Sequence, residues 1–556
     1  MFNYFLLSLI LVFALPQDVT KAQNDQPGFI SIDCGLQGPN YTDTDISDMY
    51  YTSDTGFVDS GVSRSVSSVY VSDSDITQQL KTLRYFPEGS RNCYTLRPVQ
   101  GKEGRYLIRA RFMYGNYDGL NQPPTFDLYI GLQYWETVTI TADTLVARRE
   151  IIHSPSSEYI NVCLVKTSPG IPFITTLELR PLPAEMYETK VPVPRGSLNL
   201  FFRFNMNASE DYYIRFNDDT YDRFWTASNL TDTIQLSTER PIVSNIFAPP
   251  QLVMSTALTP TNTSDGRLRI SWVTNITDKF FLYLHFAELE LLAPNQSRTF
   301  DIIINGIPWY RGLTPTYLST NTIYDTEPLP SNTTNEVELV KTANSTLLPL
   351  LNAIELYALI EFPLQETQDG DVAAMLSIKS TYNLIQNWQG DPCGPESFQW
   401  IGVNCSANDD SNAPRITSLN LSSKKLVGSI APAIFELKAL RTLDLSNNNL
   451  GGTVPEFLAE LQSLTVLKLK GNNFSQPFPQ QLLNKANSGT LTFEYDNSSD
   501  DVCHSESCNN KKKKKSIVVP IAAAVGGVLF IICASLLAFF IIRSRKPKGM
   551  QFQILS

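Results

Sequence analysis

Two groups of carboxylates are spaced for chemistry. Glu288 and Glu290 lie two apart in HFAELE, so on a strand they share a face, and Asp218, Asp219 and Asp222 cluster in NDDTYD. Two carboxylates flanking a bond are what glycoside hydrolysis needs. Acids at this density are also what a solvated surface carries, so they are read as surface acids: no catalytic residue is assigned and no enzyme is expected. The chain has 3 histidines, His153, His285 and His504, with no zinc-ligand spacing. DTDISD brings Asp43, Asp45 and Asp48 together but lacks the Gly and terminal Glu of a calcium loop. It is read as a solvated loop, and neither metal nor cofactor is expected.

Sugar binding asks for something different: aromatic faces with a few polar side chains beside them, because a pyranose offers an apolar face ringed by hydroxyls. MYGNYDGL supplies Tyr114, Asn116, Tyr117 and Asp118 in a loop after a strand, and RYFPEG supplies Tyr85 and Phe86. These six are the candidate ligand-binding residues. The competing reading is that the aromatics fill the edge of a sandwich.

Those loops need strands to hold them. From residue 29 to about 362, short aromatic and β-branched runs such as GRYLIRARFMYG, TFDLYIGL and EYINVCLV alternate with turn residues, which predicts antiparallel sandwiches. The segment also repeats itself. RYLIRARF and a later TFDLYIG parallel KFFLYLHF and TFDIIING, and ITTLELRPL parallels LNAIELYAL. The expectation is two copies of one sandwich, 29–190 and 191–362, divided near KVPVPRG.

A second architecture follows. ITSLNLSSKKLVGSI, LRTLDLSNNNLGGTV and LTVLKLKGNNFSQPF align at Leu419, Leu443 and Leu467, the pattern of a leucine-rich repeat over 415–484. Asn448 and Asn472 fall where an inward amide can satisfy backbone groups; Lys424 takes that place in the first repeat. NWQGDPCGPESFQWIGVNC, within 369–410, reads as the N-terminal cap, with Trp400 covering the core and Cys393–Cys405 as a staple. Cys503–Cys508 would close the far end, ahead of a juxtamembrane segment reaching 515. Cys34, Cys93 and Cys163 cannot all pair with one another; one or all three are expected as buried thiols.

The ends speak for a membrane. Residues 1–22 read as a signal peptide, 516–542 as a transmembrane helix and 543–556 as a short cytoplasmic tail. Basic residues flank both ends of the apolar run (Lys511–Lys515, then Arg543, Arg545, Lys546 and Lys548), so charge does not orient it. The sequons do. Asn40, Asn207, Asn229, Asn262, Asn275, Asn295, Asn332, Asn344, Asn404, Asn420, Asn473 and Asn497 all precede it, which places the N-terminal part outside. The chain carries a net charge of −11. Without the membrane-flanking bases and the signal segment, 34 Lys/Arg face 54 Asp/Glu, which argues against nucleic acid as a partner.

FFLYLHFAELE with RTFDIIING resembles the malectin fold, a jelly-roll carbohydrate-binding domain. With FISIDCG, RYFPEGSRNCYTL, NDDTYDRFW and the run ending in GDPC, the chain resembles the malectin-like leucine-rich-repeat receptor kinases of plants, symbiosis and immunity receptors among them. The resemblance implies a mainly β fold: two tandem jelly-roll sandwiches, a short solenoid and one membrane helix. It also implies an ectodomain at the plasma membrane that binds an extracellular glycan or peptide. The family continues into a Ser/Thr kinase, whereas the 14 residues after Ile542 hold no phosphate loop, HRD or DFG element. The expectation is therefore a kinase-less receptor-like protein, a co-receptor or decoy paired with a full-length receptor kinase. The alternatives are a wall–membrane tether or a truncated form of a receptor kinase.

Overall fold

The computed structural model describes residues 26–496 apart from short stretches at 45–47, 74–75, 168, 192–195, 208–212, 262–264, 275–278 and 408–411. The signal segment, the apolar run 516–542 and its flanks, Cys503, Cys508, His504, Asp45, Asn262, Asn275 and Asn497 lie outside the described residues. Among the described residues no helix is long and apolar enough to cross a membrane.

Strand-forming residues at period two dominate as far as Glu361. Ile108, Ala110 and Phe112 of the strand Arg105–Phe112 all face one core, where Phe112 packs between Phe126 and Phe173 at ring distances of 5.5 and 6.3 Å. Ile30–Asp33, Thr176–Leu182, Arg105–Phe112 and Ala147–His153 form one layer. Arg91–Leu96, Ile160–Val165, Thr125–Ile130 and Gln133–Thr139 form the layer facing it. A second sandwich repeats the plan: Gly196–Met206, Ala353–Glu361, Lys279–Phe286 and Asn321–Tyr324 face Arg267–Val273, Thr334–Lys341, Phe300–Ile304 and Ile307–Leu313.

The two sandwiches share a sheet. Ala147–His153 pairs with Gly196–Met206 (Ile151 opposite Asn199, Ile152 opposite Leu198), so one 13-stranded sheet runs through both. Leu107, Ile152, Leu198, Phe281 and Tyr357 form a small buried cluster where they meet.

The repeats stack in parallel register, Leu419 beside Leu443 beside Leu467. The ladder runs one strand further than the sequence pattern, to Thr492–Glu494, where Phe493 takes the leucine's place. LTFEYD carries no Asn or Gly turn signal, so that rung was hidden. Val403–Cys405 closes the other end antiparallel. Asn448 accepts from the N–H groups of Lys424 (2.9 Å) and Leu426 (3.1 Å) and donates to the carbonyls of Leu421 and Leu445 (2.9 Å each). Replacing Asn448 by leucine strands these groups, and urea denaturation is expected to show the repeats weakened by about 2–4 kcal/mol.

Cys393–Cys405 and Cys93–Cys163 are disulfides, and Cys34 is a buried thiol. Cys93 and Cys163 sit directly opposite each other on paired strands. Of the sequon asparagines described, Asn40, Asn229, Asn295, Asn332, Asn344, Asn404, Asn420 and Asn473 are exposed and Asn207 is half-buried.

Candidate functional site

The loop after Arg105–Phe112 turns back through left-handed residues at Gly115 and Asn116 (φ 50° and 45°). This folds Tyr114 into the core, where its hydroxyl donates to the Asp118 carboxylate; burial and that bond push its pKa up to about 12. Asn116 accepts from the Asn121 N–H at 3.0 Å. Tyr117 stays half-buried, its ring 5.4 Å from Tyr85 and 5.5 Å from both Tyr114 and Phe173. Five of the six candidates, Tyr85, Tyr114, Asn116, Tyr117 and Asp118, therefore meet in one cluster, of which all but Tyr114 reach solvent. Phe86 does not join them. It follows Tyr85, so it points to the opposite side, fully buried and edge-on to Tyr94.

The carboxylate groups have other duties. Asp222 is fully buried and accepts from Arg215 (2.8 Å), Arg180 (2.8 Å) and Arg109 (3.0 Å). Burial alone would raise its pKa, but the three guanidiniums outweigh it and hold it far below the ordinary value. Asp219 is bound by Arg223 and by the Trp225 indole N–H at 2.7 Å, while Asp218 is exposed. The reading of the cluster as surface acids is corrected here: two of the three are buried, because arginines from neighbouring strands reach them. Glu288 and Glu290 lie past the end of the strand Lys279–Phe286 rather than on one strand face, and Arg298 bonds both, at 2.7 and 2.8 Å. Glu288 too is buried. His153 is held neutral, lowered to about 3 by burial, and His285 donates its Nε2–H to the Glu355 carboxylate and bonds the Thr322 hydroxyl through Nδ1. Among the described residues no group of His, Cys, Asp and Glu is placed to hold a metal.

A second concave site lies where the first sandwich meets the repeat cap. Trp388 and Trp400 stack at 4.9 Å, completing the core that the repeats would otherwise expose. Phe57, Asp59, Arg97, Tyr159, Lys379 and Trp388 line a cleft of about 220 Å³ beside them. Lys379 bridges it to Asp59 at 2.6 Å. Behind it, Arg91 reaches from the sandwich to the carbonyls of Gly394 (2.9 Å) and Gly131 (3.0 Å), and burial lowers it to about 10. Glu366 accepts from Ser156 and Ser157 at 2.8 Å each, and Asp391 from Thr367 and from the Cys393 N–H. Gly390-Asp391-Pro392-Cys393 is thus bonded to Thr367, just past the last sandwich strand, and stapled to the cap, while Arg91 of the sandwich holds the adjoining Gly394. Sequence reasoning missed Trp388, Glu366 and the arginines; Arg109 and Arg111, two apart in a strand, were the available signal.

A model of the malectin-like domain matches residues 32–359. The chain belongs to the malectin-like domain family. A leucine-rich repeat model matches residues 414–474. A probable LRR receptor-like serine/threonine-protein kinase of Arabidopsis thaliana is 42% identical over 445 residues, 79% of this chain and 51% of the relative. A receptor-like protein kinase of the same plant is 44% identical over 424 residues, 75% of this chain and 46% of its own length. The chain spans about half the length of these curated relatives. Among solved structures, the ANX2 ectodomain from Arabidopsis thaliana superposes at a TM-score of 0.49 with 17% identity, covering 60% of this chain and 97% of that one. The residues matched by the malectin-like model span both fused sandwiches, and the aromatic cluster lies at loops of the first.

Proposed function

We propose that the chain is the ligand-recognising part of a receptor-like protein at the plasma membrane. It takes an extracellular carbohydrate or peptide at the aromatic loop site and works with a receptor kinase that carries a cytoplasmic domain. The observation that supports this reading best is the half-buried pair Tyr85–Tyr117, two rings 5.4 Å apart with the exposed Asp118 carboxylate beside them. Such a face stacks on an apolar sugar face or a peptide side chain while the acid accepts a hydroxyl or N–H. Its relatives by sequence are receptor-like protein kinases.

Titration of the full chain against an array of wall oligosaccharides and secreted peptides tests the reading. Tyr117→Ala is expected to weaken the bound ligand at least about tenfold, equivalent to about 1.4 kcal/mol of lost ring contact. Asp118→Asn is expected to weaken it less. Binding unchanged in both variants would move the site elsewhere.

A further inference from the structure

The sheet that joins the sandwiches carries an unusual amount of buried charge, and most of it balances. Arg109 pairs with Glu150, Glu178 and Asp222. Arg180 and Arg215 share Asp222, Arg203 bridges Glu150 and Glu355, and Arg223 holds Asp219. In that network the arginines Arg109, Arg180, Arg203, Arg215 and Arg223 stand one for one against Glu150, Glu178, Asp219, Asp222 and Glu355.

Arg111 and Arg148 are left over. They lie directly opposite each other on the paired strands Arg105–Phe112 and Ala147–His153, and Thr176 lies opposite Arg111 on its other side. Residues so placed share one face of the sheet. Arg111 is 7% exposed and Thr176 fully buried. The Nε and Nη1 of Arg111, the Nε of Arg148 and the Oγ1 of Thr176 have no hydrogen-bond partner, and neither guanidinium forms an ion pair among the described residues. Arg148 stacks 3.8 Å from the Phe224 ring centre and Arg111 lies 6.0 Å from it. The nearest acids on the same face, Glu150 and Glu178, are one row along and already held by Arg109. Like charges directly opposite in a sheet repel, and burial makes that repulsion stronger. Its mark is on Arg148, lowered to about 9 by burial and then by Arg109 and Arg111.

We propose that Arg111, Arg148 and Thr176 form a binding site for one oxyanion, a carboxylate or sulfate group. Two guanidinium forks and a hydroxyl suit such a group, which accepts several N–H bonds in one plane. The depth of Arg111 admits only a compact group, and the half-buried Arg148 marks the side from which it enters. This deepens the ligand-binding reading and rests on it for the extracellular source of the anion, but not on the aromatic loop site.

Calorimetric titration of the full chain with sodium sulfate and with sodium acetate, against sodium chloride at equal ionic strength, tests the site. Saturable binding is expected in the wild type, weakened at least about tenfold in Arg111→Met and lost in Arg111→Met/Arg148→Met. Arg148→Met alone is expected to melt no lower than the wild type in chloride, since it removes one of two opposed charges; this keeps lost binding distinct from lost folding. N-acetylglutamate amide separates the sources. If it binds more tightly than acetate, the group is carried on a ligand; if sulfate and acetate bind and it does not, the site takes a free ion. No saturable binding of any probe, or equal binding by wild type and double variant, overturns the proposal, whatever becomes of Tyr117.

Discussion

Asp222→Ala is expected to destabilise the fused sandwiches by about 3–5 kcal/mol, because it leaves a set of buried guanidiniums without their shared acceptor. Arg109, Arg180 and Arg215 all bond to this carboxylate, and all are buried. Glu178 remains for all three, but at 3.7–3.8 Å from Arg180 and Arg215 it cannot replace the bonds lost. Urea denaturation of the variant reads the effect. Acid gives an independent reading. Burial would raise Glu178 and Asp222, yet the surrounding arginines hold both below the ordinary values. A carboxylate depressed in the folded state stabilises above its unfolded pKa, and that stability is lost as pH falls toward the folded value. The wild type should therefore weaken progressively below about pH 4, and Asp222→Ala should lose much of that acid branch. A variant as stable as wild type would mean the network is dispensable.

The junction between the first sandwich and the repeats is expected to respond to pH in the opposite sense. Burial, then the charge of Asp391, raises Glu366 to about 7, and burial raises Asp391 as well. A group raised in the folded state stabilises fully below its unfolded pKa, near 4.5 for glutamate, and the contribution disappears as pH rises through about 7. The junction should thus be firmer at pH 5 than at pH 7.5, by about 1–3 kcal/mol. Glu366→Gln should remove most of the difference, since the amide keeps an acceptor for Ser156 and Ser157 without the charge. Protease sensitivity of the segment around Gly390–Cys393, followed across that range, measures it. Equal protection at both pH values in the wild type would contradict the assignment.

Sequence alone revealed the elements whose signals repeat. The leucines at Leu419, Leu443 and Leu467 and the inward Asn448 and Asn472 are each read from their own repeat, so local pattern sufficed. The strands of the sandwiches were legible for the same reason, as was the gathering of Tyr114, Asn116, Tyr117 and Asp118 within one loop. Phe86 was misplaced although period two places it on the side opposite Tyr85. Other features depend on which strand lies beside which. Cys93 finds Cys163 across a ladder whose register no local pattern sets. Asp222 looked like a surface acid because a dense run of acids in a turn ordinarily faces water; here that turn packs against Arg109 and Arg180 on strands of the first sandwich.

The shared 13-stranded sheet also limits how this molecule can move. Hinged receptors grip a ligand by swinging two lobes about a few loop residues. In this chain the lobes are joined by backbone hydrogen bonds between Ala147–His153 and Gly196–Met206, with ion pairs such as Arg203 to Glu150 crossing the same seam. Swinging them apart would break a ladder and expose buried charge together. The two halves therefore behave as a single rigid plate rather than as jaws, and a ligand must find its surfaces ready-made.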